Sequence, residues 1–218
     1  MERKAASRRR GEELEQAILE AVWEEFTEVG FAKLSMEAVA KRAGTSKPVL
    51  YRRWPSRLEL MISCAAHRMP SPDSIPDTGS LRGDTVHLLR LVRERMLVVG
   101  SSAMLGMLAE VSANPKTHQV FLEKFVAHVT LLLEGSVILR AVDRGELREE
   151  RLSPRLQQLP IDLARSEFLI TGSLPDVSID SIVDEVFLPA LQANGVLIND
   201  RTGGAATSPG PSGDRPAA

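Results

Sequence analysis

Apolar residues along this chain recur at three- and four-residue intervals. No stretch alternates apolar with polar in the two-residue rhythm of a strand. Leu14, Ala17, Ile18, Ala21, Val22, Phe26 and Val29 trace one face of a first helix. Glu12, Glu13 and Glu15 fall in its first turn, where the helix dipole favours anions, and Gly30 ends it. Ser35 caps a second helix with Met36, Val39, Ala40 and Ala43 on its inner face, and Gly44 stops it. Thr45 or Ser46 caps a third, in which Pro48 is tolerated because it falls in the first turn. Trp54-Pro55 closes that helix, since the residue before proline is pushed out of the α region. Ser56 opens a fourth, running to about His67 or Met69.

The stretch PSPDSIPDTGS (70–80) is a cluster of breakers and the predicted domain boundary. Helical patterns resume over 81–99, 102–113 and 116–142. Ser153-Pro154 opens another to about Thr171, with a kink expected at Pro160, and Ser178 caps the last, which ends near Asn194-Gly195. The reading is an all-α protein of about nine helices and no sheet. Residues 1–10 lack apolar periodicity and read as a disordered basic arm; 11–69 and 81–198 read as two helical units joined by a 70–80 linker. Residues 199–218, rich in Gly, Pro, Ala and Ser, read as a disordered tail.

Composition is that of a globular chain, and its net charge of -2 conceals an asymmetry. Residues 1–57 hold 12 Lys and Arg against 9 Asp and Glu, whereas 58–218 hold 15 against 20. A basic front on an acidic remainder points to a polyanionic partner for the front alone. With Cys64 the single cysteine, no intramolecular disulfide can form. The N-terminus has no apolar segment of the secretory kind, and no run approaches the ~18 apolar residues of a membrane span. The expectation is a cytoplasmic protein without a membrane partner.

The segment AGTSKPVLYRRWPSR (43–57) carries Lys47, Arg52, Arg53 and Arg57 and no carboxylate, with Tyr51 and Trp54 among them. Two short helices around a tight Gly44-Thr45 turn make a helix-turn-helix. On the second of these, Val49, Leu50 and Trp54 share one side, while Lys47, Pro48, Tyr51 and Arg52 share the other through i,i+4 spacing. Two cations, an aromatic hydroxyl and a proline make a face for the major groove of DNA, which admits one helix. Arg53 and Arg57 fit phosphate contacts, and Ser35 offers a hydroxyl and free N–H groups at a helix start. Between Val29 and Leu58 stand seven cations and one carboxylate, Glu37.

Residues 31–60, FAKLSMEAVAKRAGTSKPVLYRRWPSRLEL, resemble the DNA-binding domain of the TetR/AcrR family of bacterial transcriptional regulators. The features that carry the likeness are Gly30-Phe31, the helix from Ser35 to Ala43, the turn Ala43-Gly44-Thr45-Ser46, the stretch Lys47 to Tyr51, and Trp54-Pro55-Ser56-Arg57. The resemblance implies that Lys47, Pro48 and Tyr51 face bases or the groove wall, with Thr45, Ser46 and Arg52 beside them. It implies that Ser35, Arg53 and Arg57 grip phosphates. At position 37 the family often has a base-reading donor; Glu37 here either accepts from a cytosine N4 or turns away toward Lys41 or Lys33, and the second is favoured.

The resemblance also implies that the later helices form a ligand-binding and dimerisation unit. Its expected dimer contacts are Leu156, Leu159, Leu163, Phe168, Ile182, Val183, Val186 and Phe187. Met96, Met104, Met107, Leu108, Phe121, Phe125 and His128 supply soft apolar surface for an effector pocket. No catalytic motif, phosphate loop or dinucleotide fingerprint occurs, the four histidines make no metal cluster, and no cofactor is expected. The reading is a non-enzymatic, ligand-responsive homodimeric repressor that a small, largely apolar effector releases from a palindromic double-stranded DNA operator. The alternative is an all-α carrier or enzyme using a cavity within 81–195.

Overall fold

The computed structural model describes the backbone of residues 2–198 and the side chains of 11–198. Among the described residues the chain forms nine helices and, beyond one isolated bridge between Leu147 and Leu197, no β-structure. The first four are α1 (Glu2–Val29), α2 (Met36–Arg42), α3 (Lys47–Tyr51) and α4 (Arg57–His67). The rest are α5 (Leu81–Val99), α6 (Ser101–Ala113), α7 (Pro115–Asp143), α8 (Pro154–Thr171) and α9 (176–193). The expected tail, 199–218, lies outside the described residues.

Two boundaries and the apolar content of one helix differ from expectation. Helix α1 starts at Glu2, so residues 2–10 continue it instead of forming a separate arm. Ala5, Ala6 and the Arg run are good helix formers, and no proline interrupts them. Helix α9 starts at Asp176 behind an extended Pro175, placing Ser178 inside the first turn. Proline's fixed φ suits that entry, and the Asp176 carboxylate is held by Arg90 (3.3 Å) and Arg93 (2.5 Å) of α5. Helix α7 is, by length and composition, long and apolar enough to cross a membrane, which a count of uninterrupted apolar residues had not shown. Its Leu132, Leu133, Val137, Ile138 and Ala141 are buried in this protein's own core.

Two apolar clusters organise the chain. The smaller joins Ile18, Val22 and Phe26 of α1, Val39 and Ala40 of α2, Leu50 of α3, and Trp54, Leu58 and Met61 about α4. Cys64 is fully buried there; its thiol donates to the Leu19 carbonyl at 3.3 Å, and burial pushes it up to about 12. It is packing, not a reactive thiol. The larger cluster gathers α5, the second half of α7, α8 and α9 around Leu89, Leu133, Val137, Phe168, Val183 and Phe187.

Helix α7 serves both clusters because it changes phase. It contains two wide π turns, Leu122–Val126 and Glu134–Ile138. Each extra residue rotates the face that follows. Phe121 and Phe125, before and within the first wide turn, stack on each other (5.3 Å) and pack on the smaller cluster. Residues from Leu132 onward pack in the larger one. Gly135, in the second wide turn, lies so close to the loop before α5 that a Cβ there would meet Pro72 at 2.7 Å.

The 70–80 segment is tied down. Ile75 is buried, and the Arg140 guanidinium donates to the Pro72 and Ile75 carbonyls. Fully buried Asp84 accepts from the Thr78 backbone N–H (2.8 Å), the Thr78 hydroxyl (2.7 Å) and Arg144 (2.9 Å). Arg144 also pairs with Asp77 and Glu146, and Glu146 accepts from the Leu81 N–H. A buried carboxylate is tolerated because it is paired and hydrogen-bonded.

Candidate nucleic-acid interface

The helix pair α2–α3 is set by local chemistry. Ser35 is extended at the N-cap of α2, and its Oγ accepts from the Ala38 N–H at 3.2 Å. At the other end Gly44 has φ +61°, the Gly44 N–H donates to the Lys41 carbonyl (3.2 Å) and the Thr45 N–H to the Ala40 carbonyl (2.9 Å). This pair of bonds, five-to-two and six-to-one, is the Schellman arrangement, which needs a left-handed residue at that point. Ser46 is extended and opens α3 without a side-chain cap bond. Gly44→Ala meets no neighbouring atoms, so its expected cost is the left-handed backbone alone, roughly 1 kcal/mol. Urea denaturation should show that loss as a lowered midpoint with an unchanged slope.

Helix α3 is anchored by Leu50, which is fully buried, and by Trp54 just beyond it. Opposite them Lys47, Pro48, Tyr51 and Arg52 are exposed, as the wheel predicts, with Tyr51 51% exposed. Ser35, Glu37 and Ser46 are exposed beside them and Thr45 is half-buried. Arg52 has no side-chain hydrogen bond or ion pair among the described residues.

The other charges depart from expectation. Glu37 turns neither to Lys41 nor to Lys33 but pairs with Lys47 at 2.5 Å. The tight turn brings the start of α3 against α2, so a charged hydrogen bond replaces a loose i,i+4 contact. The hydrogen bond from Lys47, aided by its positive charge, holds the Glu37 carboxyl below the usual carboxylate range.

Arg53 donates to Glu15 (2.6 Å) and to the Gly11 carbonyl (3.4 Å) of α1, which satisfies the guanidinium expected to grip phosphate. Arg57 is further still from that expectation. It donates to the carbonyls of Phe31 (3.2 Å), Ala32 (3.2 Å) and Leu34 (3.3 Å), pairs with Glu110 of α6 (2.8 Å), and lies 4.8 Å over the Phe31 ring. Arg42 gathers Glu24, Glu25 and Glu28 of α1. Two exposed cations near the turn, Lys33 and Lys41, have no such partner among the described residues. The single-sign count over 29–58 includes them, but spacing alone does not separate them from the paired arginines.

The expected effector residues do not converge. Met96 is buried in the larger cluster with Met104 against it. Met107, Phe121 and Phe125 pack on the smaller one, Leu108 is half-buried, and His128 is exposed. These residues come from α5, α6 and α7 and face two different clusters.

The expected dimer contacts divide as well. Phe168, Val183 and Phe187 are buried in their own subunit's core, so these three are corrected to core positions; Ile182 is buried but edges a surface groove, and Leu156, Leu159 and Leu163 pack at the core's margin. Of the set, Val186 is exposed. Beside it stand two residues not anticipated, Ile170 (82% exposed) and Val177 (73% exposed). With Leu163, Ile182 and Val186 they line an open apolar groove between α8 and α9. The i,i+7 relation of Leu163 and Ile170 was the available signal.

Comparison with known proteins bears on both halves. Residues 18–64 match the model described as bacterial regulatory proteins, tetR family, and 75–186 match the tetracyclin repressor-like C-terminal domain. An uncharacterized HTH-type transcriptional regulator of Mycobacterium tuberculosis is 33% identical over 165 residues, covering 75% of this chain and 81% of its own. The DNA-binding transcriptional repressor TetR of Mycobacteroides abscessus is 26% identical over 180 residues, covering 82% and 94%. Among solved structures, a crystallised TetR family transcription regulator superposes with a TM-score of 0.69 at 22% identity, over 80% of this chain and 97% of its own.

Proposed function

Because the chain belongs to the TetR family of DNA-binding transcriptional regulators, we propose that it is a cytoplasmic homodimeric repressor released from a palindromic operator by a small, largely apolar molecule. The observation that carries this reading is the exposed face of α3. Lys47, Pro48, Tyr51 and Arg52 project from a helix whose opposite side is pinned by Leu50 and Trp54. That face enters the major groove, where Lys47 and Tyr51 meet base edges and Arg52, Lys33 and Lys41 meet phosphates. Ser35, with Thr45 and Ser46 at the turn, adds hydroxyls at the groove wall. Arg53 and Arg57 are assigned to holding the reading head together.

Residues 11–69 form the DNA-binding unit and 81–198 the effector and dimer unit in this reading, with 70–80 between them. The α8–α9 groove meets its two-fold copy, which sets two α3 helices one turn of duplex apart, ~34–36 Å. An effector entering near Met96 and Met104 acts by favouring the spacing that the operator does not accept.

The test is selection of bound duplexes from a random pool, followed by titration. Lys47→Ala and Tyr51→Ala are each expected to weaken binding to the selected duplex by about 10–100-fold, ~1–3 kcal/mol, and to weaken random duplex far less. Equal affinity of the unmodified protein for selected and random duplex would exclude sequence readout.

A further inference from the structure

A carboxylate on a face that approaches DNA needs a reason, and Glu37 stands on that face. It lies in the first turn of α2 and pairs with Lys47 at 2.5 Å, its side chain 74% exposed and that of Lys47 48% exposed. Along a random duplex the groove walls are phosphates. A cation already bonded to a carboxylate gains little there, and the carboxylate itself is repelled. The balance changes where a base edge offers a donor. The exocyclic amines, N4 of cytosine and N6 of adenine, are the major-groove donors of the four base pairs. A carboxylate is acceptor-only, so it can be satisfied by those groups and by no other major-groove group.

We infer that Glu37 is a specificity-determining residue that accepts from the exocyclic amine of a cytosine or adenine at one position in each half-site and, through Lys47, suppresses binding to unrelated DNA. This rests on the DNA-binding reading above and adds to it a penalty on wrong sequences as well as a gain on the right one. Lys47 keeps two further N–H donors for a neighbouring guanine or adenine acceptor, so the couple reads a donor beside an acceptor.

Glu37→Gln keeps size and shape and removes the charge. Random duplex is expected to bind it several-fold more tightly at low salt. The log–log salt slope should steepen by about one phosphate contact, ~0.9, as Lys47 is released to the backbone. Glutamine keeps an acceptor oxygen and itself pairs with adenine, so base readout is tested with Glu37→Ala: selection from a random pool should show the preference for cytosine or adenine relaxed at one position per half-site, and substituted duplexes at that position identify which amine is read. In a Lys47→Met background the slope change from Glu37→Gln should vanish. An unchanged preference at every position would overturn the inference. Loss of sequence preference in the unmodified protein would instead overturn the DNA-binding reading, so the two failures are distinguishable. Because Glu37 is exposed, a thermal melt should show the variant folded.

Discussion

For the proposed homodimer, replacing Ile170 and Val177 together by aspartate is expected to give a monomer and to lower operator affinity by roughly a hundredfold or more. Both side chains are largely exposed, at 82% and 73%, and they share the α8–α9 groove with Leu163 and Val186. An exposed apolar surface of this kind, rimmed by polar residues such as Glu167 and Glu185, marks a place where another surface belongs. In a two-fold contact each residue meets the same patch on its mate, so one substitution places charge on both sides of the seam. Loss of the second reading head removes the effective-concentration gain of linked sites, commonly 10²–10⁴. Sedimentation should report half the mass. Because neither residue packs in its own subunit, the isolated monomer should keep its helical signal. A double variant that sediments as a dimer would place the partner on another face.

Arg57→Met is the second large effect, and its character separates two roles. A phosphate-gripping arginine would, when lost, flatten the salt dependence of DNA binding by about one contact and leave stability alone. Here the guanidinium instead satisfies the carbonyls of Phe31, Ala32 and Leu34, lies over the Phe31 ring and pairs with Glu110. Its removal strands acceptors that were bonded to a charged donor, and each such bond contributes ~1.5–3 kcal/mol. With partial exposure and partial rehydration, the expected loss in urea denaturation is about 2–4 kcal/mol, with the salt slope unchanged. Glu110→Gln removes only a half-exposed ion pair and should cost less than ~1 kcal/mol. Wild-type stability in Arg57→Met, with a flatter salt slope, would return Arg57 to the phosphate role.

How far the sequence was legible follows from how local each signal is. Ser35, Gly44, Ser56 and Trp54-Pro55 act within a few residues of themselves, and they end or open helices where expected. The span of α5, Leu81–Val99, and that of α8, Pro154–Thr171, were readable for the same reason. The exposed face of α3 was readable because Leu50 and Trp54 fix its opposite side. The fate of the arginines was not, since Arg42, Arg53 and Arg57 find partners 17, 38 and 53 residues away in the chain. Nor was the role of the apolar stripes on α8 and α9. Period puts Leu163 and Ile170 on one face of α8 and Val183 and Val186 on one side of α9, but it does not say which positions are turned inward and which are left bare. In α7 the two wide turns break the period itself, so the face that Phe121 and Phe125 set on the smaller cluster does not carry on into the larger one.

The smaller cluster is completed by residues far along the chain: Val111 is one of its buried members, and Met107, Phe121 and Phe125 cover its flank. The reading head is therefore not a detachable cassette. A fragment cut at the 70–80 segment would bare a greasy seam on α4 and invite clumping. Anyone grafting this head onto a foreign sensor must transplant α6 and the front of α7 with it, or redesign the orphaned side of α4 to face water.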